Sequence, residues 1–451
     1  MTMIAEGSQE SRLQTVLRAL ESGAVRNVQR MLQSLHPAEL GQLLESLPLA
    51  ERAIVWQLVS PDLGGDVLLE VNDEVRSGLI NTMEPEALVA ATGDMEVDDL
   101  ADLFEDLPEA VIPRVLHAMD ARDRERLESV LAYPEDSAGG LMNTDTVTVR
   151  PDVSLDVVQR YLRLRGSLPE KTDKLFVVNR YGQHLGSLGL DEVLTRDPQA
   201  TVAELMDTGM RGIAASAPAA EVARLFEDRD LLSEPVIDDE DRLLGRITID
   251  DVVDVIREEA DHSIMRMAGL DEDDDIFAPV ILSTRRRAVW LGVNLATAFV
   301  AAGVVGLFEA TIDKIVALAV LMPVVASMGG VAGGQTLTLM IRGLALGRVE
   351  SSNARWMMGK EIAVGVLNGV GWALVIAAVV VVWFRNFEIG AVIALAIVIN
   401  LVVAAISGVA IPLLLKRAGI DPALAGNVIL TTVTDVVGFF AFLGLGALIL
   451  V

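Results

Sequence analysis

Residues 422–451 read PALAGNVILTTVTDVVGFFAFLGLGALILV, with Asp435 as the only charge. About 20 apolar residues carry a helix across the hydrocarbon of a bilayer, so this stretch is long enough to span and places a carboxylate inside the membrane. If the helix enters near Leu424, a rise of about 1.5 Å per residue sets Asp435 roughly 16 Å deep, close to the midplane. A charge there costs at least about 3 kcal/mol, and ionisable groups at that depth usually face a pathway or a partner. No Lys or Arg lies in the same span, and Lys416 and Arg417 are too far along the chain to pair locally. Ion binding is favoured over a neutral structural Asp. Asn427 and Thr431 stand at i−8 and i−4 from Asp435 on one helical face, an oxygen-lined stripe with Thr432 and Thr434 beside it.

Upstream, uncharged runs cover residues 288–308, 315–341, 362–384 and 389–415, so five membrane helices are expected. Arg285, Arg286 and Arg287 precede the first run. Arg342, Arg348, Arg355 and Lys360 separate the second and third, and Lys416 and Arg417 the fourth and fifth. Basic loops stay on the cytoplasmic side, which puts the N-terminus inside and the C-terminus outside an inner or plasma membrane. An odd number of spans gives no simple inverted repeat of the secondary-transporter kind, and no GxxxxGK loop suggests ATP-driven pumping. A channel or simple facilitator fits best. The second run contains MPVVASMGGVAGGQ (322–335), where Pro323, Gly329, Gly330, Gly333 and Gly334 weaken the helix near Gln335. Such a segment exposes carbonyls to a cavity or packs closely against other helices, and both readings stand.

Of the chain's 36 Lys+Arg and 64 Asp+Glu, only 11 and 7 fall in residues 276–451, leaving 25 and 57 in the first 275. An acidic soluble half is thus joined to an apolar one, consistent with 451 residues, 52% hydrophobic, and a mean hydropathy of +0.44. The acidic half would repel nucleic acid, and its natural small partners are cations. With no Cys and four scattered His (His36, His117, His184, His262), zinc chemistry is not expected, and no nucleophile or base stands at catalytic spacing. The first residues, MTMIAEGSQESRLQ, lack the basic and apolar regions of a signal peptide, so no cleaved leader is expected.

Residues 10–135 show helical periodicity with a 60-residue repeat: Leu40, Leu43, Leu44, Leu47 and Pro48 correspond to Leu100, Leu103, Phe104, Leu107 and Pro108. Stacked helical hairpins in a short solenoid follow, with these Leu stripes as its core. A second repeat fills 137–260: Phe176-Val177-Val178 matches Pro235-Val236-Ile237, Leu185-Gly186 matches Leu244-Gly245, and Asp191-Glu192-Val193 matches Asp250-Asp251-Val252. Each copy reads as a short strand, an amphipathic helix, two strands joined by a Gly or Asp turn, and a closing helix, the order βαββα. That order resembles a tandem pair of cystathionine-β-synthase (CBS) domains, modules that commonly bind adenosyl nucleotides. A helix then continues toward the membrane and ends in the acidic run 271–275, either a solvated linker or a weak cation site. The oxygen-only ligand chemistry suits Mg²⁺, Ca²⁺ or Mn²⁺. With one carboxylate per chain a largely hydrated ion fits better than a stripped one, and Mg²⁺ is the ion that keeps its water. Two chains about a two-fold axis would bring two Asp435 side chains to one pore.

Taken together, the segments YPEDSAGGLM (133–142), LLGRITIDDVVDVI (243–256), MPVVASMGGVAGGQ (322–335) and DPALAGNVILTTVTD (421–435) resemble the MgtE-type magnesium channel family, related to the eukaryotic solute-carrier magnesium transporters. The resemblance covers the whole chain: an N-terminal helical superhelix domain (1–135), CBS domains (136–200 and 201–256), a connecting helix with acidic linker (257–284) and a five-helix pore domain (285–451). It implies a homodimer in the bilayer whose pore selects hydrated Mg²⁺ through Asp435, with Asn427 and Thr431 nearby; Gly329, Gly330 and Gln335 of the second run are the further pore candidates read from the residues themselves. It also implies feedback closure by cytosolic Mg²⁺ held at acids that match Asp98, Asp102, Asp230, Asp251, Asp254 and Glu259, and room for ATP at the CBS pair. Divalent ions between like-charged faces favour the compact closed state through differential binding.

Three departures matter. Val331 stands where the family usually has Asn. The stretch ASAPAAE (215–221) replaces acids, and His262 and Ser263 replace acids again. Altered ion preference and weaker Mg²⁺ inhibition are the corresponding expectations. Two alternatives remain open: a secondary transporter of Mn²⁺ or Co²⁺, and a membrane-anchored nucleotide sensor built on the CBS pair.

Overall fold

The computed structural model describes residues 2–93, 95–104, 106–209, 211–270, 275–349 and 352–451, and for residues 2–11 and Ser263 the backbone alone. The chain divides into two compact units, Met1–Ala260 with Asp273–Ala278 and Asp261–Glu272 with Pro279–Val451. Among the described residues of the first unit, one 20-residue helix (Thr2–Glu21), nine short α-helices and one 3-10 turn precede the strands. Three of them matter below: α1 (Leu49–Trp56), α2 (Asp73–Ile80) and α3 (Val97–Phe104). The 60-residue repeat returns as two buried stripes, because Leu40, Leu43, Leu44 and Leu47 share one core with Leu100, Leu103 and Leu107. Local chemistry starts these helices. His36 and Glu39 form a reciprocal capping box with Pro37 at the first turn, and Asn72 accepts from the Val75 N–H at the head of α2.

Two three-stranded sheets follow, built alike. In the first, β1 (Thr148–Val149) runs parallel to β2 (Lys174–Val178), which pairs antiparallel with β3 (His184–Gly189). In the second, β4 (Ile213–Ala214), β5 (Ser233–Ile237) and β6 (Leu243–Thr248) repeat the pattern, including an irregularity at the same place, Val177/Val178 and Val236/Ile237. Helices α4 (Leu155–Arg165) and α5 (Leu190–Thr195) complete the first copy; α6 (Ala219–Arg229) and α7 (Ile249–Met267) complete the second. Gly182 and Asp241 take positive φ at equivalent hairpin turns, the Gly-or-Asp position read from sequence. The second copy shares its core with the helical repeat, whereas the first has its own.

The segment 133–142 is where glycine is required. A Cβ on Gly139 would lie 2.3 Å from Tyr133 Cγ, and one on Gly140 would lie 2.5 Å from the Pro134 carbonyl oxygen. The tight turn lets Ala138 and Gly139 donate to the carbonyls of Ala217 and Ala215. Ala215 and Ala219 are buried there, where the close packing beneath the turn suits small residues.

In the second unit, five helices are long and apolar enough to cross a membrane: α8 (Val280–Gly306), α9 (Val316–Ala345), α10 (Ala354–Phe384), α11 (Phe387–Arg417) and α12 (Pro422–Ile449). The most deeply buried is α11, packed against α9, α10 and α12. Small residues allow the approach: Gly365 meets Ala405, Gly333 meets Leu430 and Gly408 meets Thr336. Helix α7 ends in this unit, where Arg266 pairs with Asp421 at 3.2 Å and His262 lies 3.5 Å from the same carboxylate. Asp421 also caps α12 by accepting from the Ala423 N–H at 2.8 Å.

Candidate functional site

Asp435 sits midway along α12, half-buried, with Thr431 and exposed Asn427 below it on the same face. The threonine hydroxyls turn their hydrogens back into the helix: Thr431 donates to Asn427 O at 3.0 Å, Thr432 to Val428 O at 2.7 Å, and Thr434 to Thr431 O at 3.0 Å. The outward lone pairs of Thr431 and Thr432 are therefore acceptors, whereas Thr434 is fully buried. A hydrated cation presents water hydrogens, so a face of acceptors around one carboxylate matches a cation that keeps its shell. On α9, Gly330 and Gly334 have open space where a Cβ would project, and Gln335 is exposed on the same helix. Gly329 is buried against Asn400 instead. Val331 is 60% exposed.

The second candidate is an acidic seam in the first unit. Asp98, Asp99 and Asp102 on α3 face Asp251 near the start of α7, and Asn143 bridges the elements by donating to Glu96 at 2.5 Å and to Asp98 at 3.2 Å. Asn143 is itself held by paired backbone bonds to Arg246 on β6. Burial pushes the Asp98 and Asp251 carboxyls up to about 7, with Asp99 and Asp250, respectively, adding like charge. Asp99 also rises to about 7, through burial and then Asp251. Asp102 is exposed, yet the surrounding protein and then Glu135 and Asp98 push it up to about 8. Burial also raises Asp254 and Glu258, whereas Asp250 is lowered against its burial by the hydrogen bonds of Lys171 and Thr248. Asp230 is exposed as the left-handed C-cap of α6, and Glu259 is exposed on α7. Among the described residues no three His, Asp or Glu side chains converge to hold a metal ion, so the acids form a seam rather than a cage.

The seam makes docking of α3 against α7 sensitive to pH. Carboxyls raised from near 4 to 7–8 favour the docked arrangement when protonated. That stability is fully present below the ordinary Asp range and is lost as pH rises through 7 to 8. In chelator, proteolysis between the helical domain and the paired sheets is expected to accelerate several-fold from pH 6 to pH 8.5, and millimolar Mg²⁺ should suppress it. Equal protection at both pH values in chelator would count against the seam.

Three residues escaped the sequence reading. Glu361 falls inside α10, one residue before the expected start of that span; it is buried, accepts from Thr336 at 3.0 Å and pairs with Lys360 at 2.7 Å. The Lys-Glu pair ahead of an apolar run was the available signal. Asn400 hid inside an uncharged run, its one mark being an amide among apolar residues. Asp275 belonged to the acidic run and is not solvated: it is buried in a two-pronged pair with Arg52, while positions 271–274 lie outside the described residues.

A five-span unit with a carboxylate midway along its last helix, joined in one chain to a helical domain and paired βαββα modules, defines a multi-pass membrane transport protein. Residues 322–445 match the MgtE family, described as a divalent cation transporter; residues 35–136 match the MgtE intracellular N domain and 202–258 a CBS domain. The chain is 31% identical to the magnesium transporter MgtE of Thermus thermophilus over 96% of its own length and 97% of that protein. It is 27% identical to the magnesium transporter MgtE of Bacillus subtilis over 95% of each. The solved cytosolic domain of the Mg²⁺ channel MgtE in complex with ATP matches with a TM-score of 0.49 and 32% identity, covering 54% of this chain and 99% of that one. The chain belongs to the MgtE family.

Proposed function

We propose that this protein is a magnesium channel of the inner or plasma membrane, passing largely hydrated Mg²⁺ along α12 past Asp435. The observation that carries the reading is the oxygen-bearing face at Asp435, where the Thr431 and Thr432 hydroxyl hydrogens are spent on the helix backbone. Two copies about a two-fold axis would place two such faces on one pathway, and the outward apolar surface of α8, in which Ala301 is the only buried residue, is surface available for that pairing. The acidic unit lies in the cytosol by the basic-loop rule, with the C-terminus outside. Cytosolic Mg²⁺ bound along the seam of Asp98, Asp102, Asp251 and Asp254, with Asp230 and Glu259 nearer solvent, replaces the protons that otherwise favour docking. It thereby stabilises the closed state. Asp421, which joins the end of α7 to the start of α12, is the contact through which α7 reaches the pore helix. The CBS pair is proposed to take an adenine nucleotide such as ATP.

The test is Mg²⁺ uptake into proteoliposomes loaded with a Mg²⁺-sensitive dye, with and without an imposed proton gradient. Gradient-independent uptake supports a passive channel. Uptake that needs the gradient, or that carries Mn²⁺ or Co²⁺ in preference, supports a coupled transporter, the alternative that Val331, exposed on α9, leaves open. ATP binding without any ion flux supports a sensor.

A further inference from the structure

Helix α11 is apolar almost throughout, yet at its middle Asn400 is 0% exposed. Its Nδ2 donates to the Val325 carbonyl of α9 at 2.9 Å, while its Oδ1 finds no partner among the described residues. A buried polar atom left unpaired costs about 1–3 kcal/mol, so an apolar side chain of similar size would be the more stable occupant. The surroundings show what the amide does there. A Cβ on Gly329 of α9 would lie 2.3 Å from Nδ2, and a Cβ on Gly438 of α12 would lie 2.7 Å from the same atom. The amide therefore fills a seat made by two glycines on two helices and bonds to one of them. Gly438 is one turn from Asp435, and Gly329 adjoins the open Gly330.

We propose that Asn400 is a positioning residue of the pore, locking α9 and α12 in register one turn from Asp435. The inference rests on the transport reading above and adds the element that aims it. Apolar packing alone tolerates small rotations of a helix about its axis, because it has no direction; a hydrogen bond from a side chain wedged between two Cα atoms does not. Since successive residues on a helix point about 100° apart, a small rotation of α9 or α12 would turn Gly330 or Asp435 off the shared pathway.

The experiment measures Mg²⁺ and Ca²⁺ uptake by the full chain in proteoliposomes. Asn400→Ala is expected to lower Mg²⁺ uptake about tenfold or more and to relax the Mg²⁺ to Ca²⁺ preference, since small misplacements near a reacting or binding centre have effects of this size. Gly438→Ala should be inactive through its clash with the amide, and adding Asn400→Ala should restore insertion and raise uptake only to the level of Asn400→Ala alone, without restoring preference. If Asn400→Ala fails to insert, Asn400→Leu keeps the approximate size and removes the donating nitrogen, and is read by the same ratio. An unchanged ratio in an inserted variant overturns the proposal, because a residue with a merely structural role would alter yield and melting but leave ion preference alone. A natural chain that carries no Mg²⁺ defeats the transport reading instead, and with it the pore that Asn400 is proposed to align.

Discussion

Asp435→Asn is expected to reduce Mg²⁺ uptake into proteoliposomes by at least two orders of magnitude while the protein still inserts and melts normally. Asn has the same shape and removes only the charge. A divalent ion held one water away from a carboxylate, about 5 Å, gains roughly 7 kcal/mol at an effective dielectric near 20. If Asp435 lies on the proposed pathway, losing even half of that stabilisation is worth about a hundredfold in rate. The other oxygens of the face cannot compensate, since Thr431 and Asn427 are neutral and the α12 segment carries no second acid. Asp435→Glu should retain measurable uptake with altered ion preference, because the charge stays and its distance from the helix changes. Uptake by Asp435→Asn equal to that of the natural chain would remove Asp435 from the pathway.

Arg52→Ala is expected to destabilise the first unit by about 3–5 kcal/mol. Arg52 binds Asp275 with two nitrogens at 2.6 and 3.1 Å and donates its Nε to the Leu44 carbonyl at 2.9 Å. Both side chains are nearly solvent-free, at 5% and 4% exposure. Asp275 is tied further: its N–H donates to Glu74 on α2 at 2.9 Å, and its Oδ1 accepts from the Phe277 N–H at 2.9 Å. Removing the guanidinium leaves an unpaired buried carboxylate, whereas replacing both charges leaves only an apolar contact. Thermal unfolding of the purified chain should therefore show Arg52→Ala lower by about 10 °C or more. Arg52→Met with Asp275→Leu should lie close to the natural protein. A shift of only a degree or two for the single variant would mean that the pair contributes nothing to this unit's stability. Because Asp275 lies between α7 and α8 in sequence, release of this clasp is also a sensitive place to look for a change in gating.

Much of this molecule follows from short-range pattern. The five spans, the 60-residue helical repeat and the two βαββα copies are periodic features, and periodicity reflects which face of a helix or strand must leave water. The span limits differ where charge was used as the boundary. Arg285, Arg286 and Arg287 lie within α8, and Lys360 and Glu361 lie within α10, because a helix continues through a charge that can reach solvent or a partner.

What the sequence by itself determined was the inventory: an acidic soluble half, a five-helix apolar half, one carboxylate in the last span and the acids of α3 and α7. Those are matters of composition and spacing, which any chain states openly. Only the tertiary structure decided which of these groups meet. It set Asn400 between Gly329 and Gly438, Glu361 on Thr336, and Arg52 on Asp275, partners separated by between 25 and 223 residues in the last two cases. It also decided which acids crowd together enough to be raised to 7 or 8. Burial and pairing depend on the packing of distant segments, and a one-dimensional pattern carries no distance between them.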